Sequence, residues 1–191
     1  MSKHADILAM FSLYYPLSAA TSNELEKLFD YRSNKKNEII LPVGNIPHYY
    51  YFIQKGLWEY YYLADNGDKV IKRFFQENSF VASTAALIQE APSIFGISCL
   101  EAGTYIRIPA KPFRALMMTN IELMKFHISY LEKNWIVDKE PMEISLKYET
   151  AEERYRQFKA EHPGLLQRLK QHHIAAYLGI TPTQLSRIRK H

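Results

Sequence analysis

Residues 169–190 read Leu-Lys-Gln-His-His-Ile-Ala-Ala-Tyr-Leu-Gly-Ile-Thr-Pro-Thr-Gln-Leu-Ser-Arg-Ile-Arg-Lys. The spacing predicts two short helices joined by a tight turn. The first runs from about Lys170 to Leu178, with Ile174 and Leu178 inward and Ala175 or Ala176 small enough for a second helix to come close. Gly179 ends it, where the backbone needs a left-handed conformation. Thr181 is an N-cap and Pro182 a first-turn residue, so a new helix starts at once. Leu185 and Ile188 face inward, which leaves Thr183, Gln184, Ser186, Arg187, Arg189 and Lys190 outward. This is a helix-turn-helix whose second helix carries a polar, basic face. Such a helix fits a DNA major groove, where Arg engages guanine and Gln engages adenine with paired hydrogen bonds. Thr181 and the first backbone donors suit phosphate oxygens. Thr181, Thr183, Gln184, Ser186, Arg187, Arg189 and Lys190 are therefore the candidate contacts to double-stranded DNA. His172 and His173 stand beside the motif and meet phosphate or only solvent.

Charge supports the assignment. Residues 151–191 hold eight Lys/Arg and three acids, whereas the first 150 hold 16 bases and 17 acids. A near-neutral body with a basic module suggests a polyanionic partner. A mere solvated tail would lack the apolar pattern seen here. The 191 residues allow one large domain or a medium and a small one, and 47% hydrophobic with 23% charged residues argues against disorder. No apolar run reaches the roughly 18–20 residues of a membrane span. Met1 to Phe11 lacks the long apolar stretch of a secretory signal. Cys99 is the single cysteine, which excludes an intrachain disulfide framework, a zinc ribbon and an all-cysteine iron–sulfur site. It reads as a small buried hydrophobe in a strand, and a reducing, cytoplasmic setting is expected.

Moving towards the N-terminus, Thr150 and Glu153 form a capping box that opens a helix over Ala151–Ala160, ended by Pro163-Gly164. Before it, Met117, Ile121, Met124, Ile128, Leu131 and Trp135 are spaced 4, 3, 4, 3, 4. That is a heptad seam. A helix packed on its own domain tends to show a wider stripe, so the strict period favours a homodimer interface. Pro141 is expected to kink or restart this helix, and Pro141 and Tyr148–Thr150 are candidate hinges. From about Glu38 to Pro109 the pattern is β. Short aromatic and β-branched runs (49–53, 57–63, 70–75, 94–100 and 105–108) alternate with turn residues, and Asn66-Gly67 is a hairpin signal. Val81–Gln89 reads as one short helix between strands. At the start, Thr21 and Glu24 have capping-box spacing before Leu25, Leu28 and Phe29.

The order of parts is thus α+β: an antiparallel β-roll, jelly-roll-like, then a long dimerisation helix, then a C-terminal (winged) helix-turn-helix. Expected boundaries are 1–112 for the sensor roll, 113–149 for the dimerisation helix with its hinge, and 150–191 for the DNA-binding domain. The chain resembles the Crp/Fnr family of bacterial transcription regulators. The resemblance is carried by Phe52-Ile53-Gln54-Lys55-Gly56, Asp65-Asn66-Gly67-Asp68, Phe80, Leu100-Glu101, Thr150 to Tyr155 and, above all, Leu178 to Arg187. It implies a cyclic-nucleotide-binding-like roll, a homodimer along the seam, a palindromic operator and RNA polymerase as a further partner. The family's base-reading arginine falls on Arg187, and its other reading positions fall on Pro182 and Thr183. Proline cannot read a base and threonine replaces an acid, so the preferred operator should differ from that of the best-known members.

The sensory half departs from the family's nucleotide pattern. Cyclic-nucleotide binders of that family use a Gly-Glu pair and a following Arg; here the pair reads Ala82-Ser83, and no Arg or Lys occurs between Arg73 and Gly103. The usual response to cyclic AMP is not expected. Phe80, Ala82, Ser83, Thr84 and Ser93 could line a pocket for another effector of open identity, or the roll could be scaffold alone. No metal site and no cofactor are expected, since His48 and His127 stand as lone histidines. No nucleophile elbow or phosphate-binding glycine loop is present, which argues against an enzyme. The alternative to a regulator is an effector-binding or protein-interaction module built on the roll, with weak or lost DNA binding.

Overall fold

A computed structural model gives the fold; it describes residues 4–190, without the side chains of residues 142–144 and 146–147. Two helices, α1 (Ala5–Tyr14) and α2 (Ala19–Glu26), lead into the β zone. Eight strands follow: β1 (Asp30–Asn34), β2 (Ile39–Leu41), β3 (Tyr49–Lys55), β4 (Trp58–Leu63), β5 (Lys69–Phe75), β6 (Ser79–Val81), β7 (Phe95–Cys99) and β8 (Gly103–Pro109). They form two four-stranded antiparallel sheets, in the orders β1-β8-β3-β6 and β2-β7-β4-β5. The short helix α3 (Thr84–Gln89) interrupts them, as the small-residue stretch predicts.

Strand alternation divides the side chains. Tyr51 and Ile53 of β3 point between the sheets and meet Trp58, Ile97, Cys99 and Tyr105. The alternate residue Phe52 points the other way, towards Ile7, Phe11, Phe113, Leu123 and Phe126 of the covering helices. Trp58 stacks edge-on against Tyr51 and Tyr105 at 5.7 and 5.0 Å between ring centres. Gly103 lets β8 pass the β3–β4 corner, because a Cβ there would lie 1.8 Å from the Lys55 carbonyl oxygen. The Asn66-Gly67 turn forms as expected, with Gly67 at φ +83° and the Asn66 side chain accepting from the Asp68 amide.

After β8 the chain is helical: α4 (Ala110–Thr119), α5 (Ile121–Leu131), a π-helical turn (Glu132–Val137), α6 (Lys139–Tyr148), α7 (Ala151–Glu161), α8 (Pro163–Arg168), α9 (Gln171–Leu178) and α10 (Pro182–Ile188). Several expectations need correction. The long dimerisation helix is not continuous. Asn120 accepts from the Glu122 and Leu123 amides and starts α5 as a new helix. The π-turn ends at Val137, and α6 restarts the helix at Lys139. Pro141 itself sits in the first turn of α6, where no donor is needed. The capping box at Thr21 and Glu24 is absent. α2 begins three residues earlier, with Ser18 accepting from the Thr21 amide, and Thr21 is buried and accepts from Asn120. α7 ends at Glu161, just before Pro163-Gly164 as expected, and Pro163 then opens the further short helix α8. Among the described residues no strand follows Pro109. The capping box at Thr150 and Glu153 is present, with both reciprocal bonds made.

Candidate functional site

The C-terminal motif is built as its sequence dictates. Gly179 holds φ +69° and ends α9, and two residues later Thr181 starts α10. Thr181 Oγ1 accepts from the Gln184 amide at 3.1 Å, and the Thr181 amide donates to Gln184 Oε1 at 2.8 Å. Leu185 is fully buried against Ile174, Ala175 and Leu178. That anchor turns Thr183, Gln184, Arg187, Arg189 and Lys190 to solvent, with Thr181 exposed at the cap and Ser186 half-buried. The seven residues singled out from the sequence therefore share one short helix and its ends. Gln184 differs from the expectation in one respect. Its carbonyl oxygen already accepts one bond from the cap, which leaves a second lone pair and the amide nitrogen for a partner.

Basic residues of the same module divide into held and free. Arg154 donates to the Glu149 and Leu178 carbonyls and ties α7 to the end of α9. Arg156 pairs with Glu152. Arg168 forms two paired contacts, to Glu77 at 2.8 and 2.9 Å and to Glu101 at 3.0 and 2.6 Å. This clamp joins the helical module to the roll, and nothing local in the sequence marks it. Beside it, Leu57, Tyr61, Ile71 and Phe74 of the roll pack on Phe158, Leu169 and Ile174. Arg189 and Lys159 border an open groove of about 470 Å³ behind α10, floored by Leu166, Leu169 and Ile188. His173 is half-buried, and burial pushes its imidazole below its ordinary value, with the neighbouring His172 acting the same way. His172 is exposed.

The seam splits. Met117 lies on α4 at 8% exposure, inside its own subunit's core with Leu123 and Phe126. The other five positions lie beyond the Asn120 break. Ile121, Ile128 and Trp135 are 60%, 55% and 41% exposed, and Met124 and Leu131 are half-buried. Ile121 and Ile128 stand out on the exposed side of α5, whereas Leu131 and, on the π-turn, Trp135 border the roll.

The roll interior is closed around Ser83 and Ser93, which are 3% and 1% exposed. Ser93 Oγ donates to the Phe95 carbonyl at 2.7 Å, so Ser83 donates to Ser93 at 2.7 Å and Tyr60 to Ser83 at 3.2 Å. The hydroxyls satisfy one another instead of facing an open pocket. Burial drives the Tyr51 phenol and the Cys99 thiol each up to about 12, so both stay protonated in the apolar interior. Phe80, Ala82 and Thr84 instead line a cavity at the end of β6, against α5 and the π-turn. His48 is exposed in a loop and His127 half-buried on α5. Among the described residues no group of three or more His, Cys, Asp or Glu is placed to hold a metal ion, and no helix is long and apolar enough to cross a membrane.

Residues 31–120 match the cyclic nucleotide-binding domain family. The two-sheet roll and α4 fill that span. Solved structures with the same fold include the c-di-GMP-responsive global regulator CLP of Xanthomonas campestris, with 12% identity over 91% of this chain and 90% of that one and a TM-score of 0.72. FixK2 of Bradyrhizobium japonicum shows 16% identity over 85% and 83% of the two chains, with a TM-score of 0.68. The catabolite activator protein of Thermus thermophilus shows 17% identity over 93% and 84%, with a TM-score of 0.58. No curated protein sequence matches the chain. Within this cyclic nucleotide-binding-type roll, the residues present do not fit a cyclic nucleotide. The β6–α3–β7 stretch carries no Arg or Lys to meet the cyclic phosphate, and aromatic rings and the hydroxyl chain fill the space between the sheets.

Proposed function

We propose that the chain is a dimeric, sequence-specific DNA-binding transcription regulator of the Crp/Fnr type that does not respond to cyclic AMP in the usual way. One observation carries the reading. α10 buries Leu185 and turns Thr183, Gln184, Arg187, Arg189 and Lys190 to solvent, the division of faces that a groove-reading helix needs. In this reading residues 150–191 read DNA, residues 113–149 supply the dimer contact and hinge, and residues 1–112 form the sensor. Two copies joined along Ile121, Met124, Ile128, Leu131 and Trp135 present two α10 helices to half-sites of a palindromic operator about one turn, ~34 Å, apart. The protein acts in the cytoplasm and works with RNA polymerase. Ser83 and Ser93 have a structural part in this scheme, and Phe80, Ala82 and Thr84 remain the effector-facing residues. Selection from random duplexes by the purified chain, followed by sequencing, is expected to enrich a palindrome. Recovery of unselected sequence overturns the proposal.

A further inference from the structure

At the end of β6 the fold leaves a cavity of about 90 Å³ with aromatic walls, among them Phe11, Phe80, Phe113, Phe126 and Trp135. Arg73 also lines it, with its guanidinium carbon 5.3 Å from the centre of the Phe75 ring. Among the described residues no Asp or Glu lines this cavity, and Arg73 makes no ion pair. We infer that the cavity binds a small amphiphilic monocarboxylate, its short aliphatic tail among the rings and its carboxylate on Arg73.

The chemistry follows from charge and size. A guanidinium held over a ring beside apolar walls is a preformed fork, and the geometry it matches is that of a planar carboxylate. The apolar chamber excludes a second charge, since an ion there has no partner. One water needs only about 10–15 Å³ of such space, so the chamber has room for a short aliphatic chain. It is well below the ~300–1,000 Å³ usual for larger ligands. That selects a short-chain acid over a nucleotide. The inference deepens the effector reading of Phe80, Ala82 and Thr84 and names the ligand class. Leu131 and Trp135 line the chamber and also belong to the proposed seam, so an occupant touches the dimer helix directly.

Calorimetric titration of the full chain with pentanoate and with its neutral isostere pentanamide tests the assignment. Intrinsic fluorescence is followed in parallel, because Trp135 lines the cavity while the only other tryptophan, Trp58, is buried between the sheets. Pentanoate is expected to bind at least about tenfold more tightly than pentanamide, as for a charge-assisted pair. Arg73→Gln, at an exposed position, is expected to erase that preference without altering the fold, and Ala82→Leu is expected to weaken both ligands by filling the chamber. Equal binding of acid and amide, no binding of either, or a preference that survives in Arg73→Gln overturns the inference. Failure of duplex selection leaves these titrations unaffected, so this inference and the DNA-binding proposal fail separately.

Discussion

Arg168 shows how much one side chain can hold together. Its fork meets two carboxylates from separate corners of the roll, and Glu77 also accepts from the Gly56 amide at 2.8 Å. Together, with the Arg168 bond the largest effect, they bring the Glu77 carboxyl from an ordinary 4.5 down to about 2. A carboxylate lowered by folding stabilises the native state above its unfolded value and loses that contribution as pH falls from about 4.5 through 2. Glu77 keeps about a third of its side-chain surface, so after solvent screening this is worth about 1–2 kcal/mol. Arg168→Met is predicted to cost about 1–3 kcal/mol at neutral pH and to flatten the loss of stability between about pH 5 and 2. Denaturant unfolding across that range checks it; equal acid sensitivity in variant and wild type contradicts it. At the opposite end of the module, Arg187 is exposed and makes no side-chain ion pair among the described residues. Arg187→Ala is predicted to cost about 1–3 kcal/mol of specific binding and to relax base preference at one position per half-site. Repeating the duplex selection with the variant reads this directly, and an unchanged base profile assigns the reading elsewhere. Gln184 belongs to a different case, because its removal also strips the α10 cap and mixes folding with recognition.

At the scale of elements, α5 is apolar on two sides. Leu123 and Phe126 hold it to the roll, while Ile121 and Ile128 stand out in solvent. Fully burying an isoleucine is worth about 1.5–3 kcal/mol, so two such side chains per subunit form a substantial unsatisfied surface. Ile121→Glu with Ile128→Glu is predicted to give monomers by light scattering, with unfolding of the subunit changed by no more than about 0.5 kcal/mol. A wild type that is already monomeric at micromolar concentration contradicts the seam. The stripe was legible because apolar spacing depends only on the order of residues. Its upper limit was not. A 4/3 spacing continues through Met117 even though the chain breaks at Asn120, and the decisive event is an asparagine side chain capping two amides. The same limit explains Thr21. Its capping-box spacing is satisfied on paper, but Ser18 caps first and Thr21 is taken by Asn120 from 99 residues away. In contrast, the box at Thr150 and the N-cap at Thr181 are local, and the sequence located both; that Gln184 completes a box at Thr181 was not read from it.

For the whole molecule, the roll carries helices on both outer faces: α1, α4 and α5 on one, and the C-terminal helices α7 to α10 on the other. The strand runs, the hairpin and the terminal motif were readable because each depends on neighbouring residues. The docking of α9 on β5 was not, since Ile71 and Phe74 look like ordinary strand residues until the topology brings Phe158 and Ile174 against them. Nor was the cavity, which joins Phe11, Arg73 and Trp135 from distant parts of the chain. Docking also reshapes the charge that faces outward. Of the eight Lys/Arg in residues 151–191, Arg154, Arg156 and Arg168 are held by carbonyls or carboxylates of the same chain. Lys159, Lys170, Arg187, Arg189 and Lys190 are exposed. If three to five of these meet phosphate in each subunit, a dimer neutralises about six to ten phosphates. Each neutralised phosphate releases condensed counterions, so the logarithm of the binding constant should fall with the logarithm of salt at a slope of about −5 to −9. Between about 50 and 200 mM salt the affinity should drop roughly 10³- to 10⁵-fold. Arg168→Met, which removes a cation already neutralised by the roll, should leave that slope unchanged, whereas Arg189→Ala with Lys190→Ala should reduce its magnitude by about 2 to 4. A shallow wild-type slope, or one that Arg168→Met alters as much as the α10 pair does, places the DNA contact outside the face described.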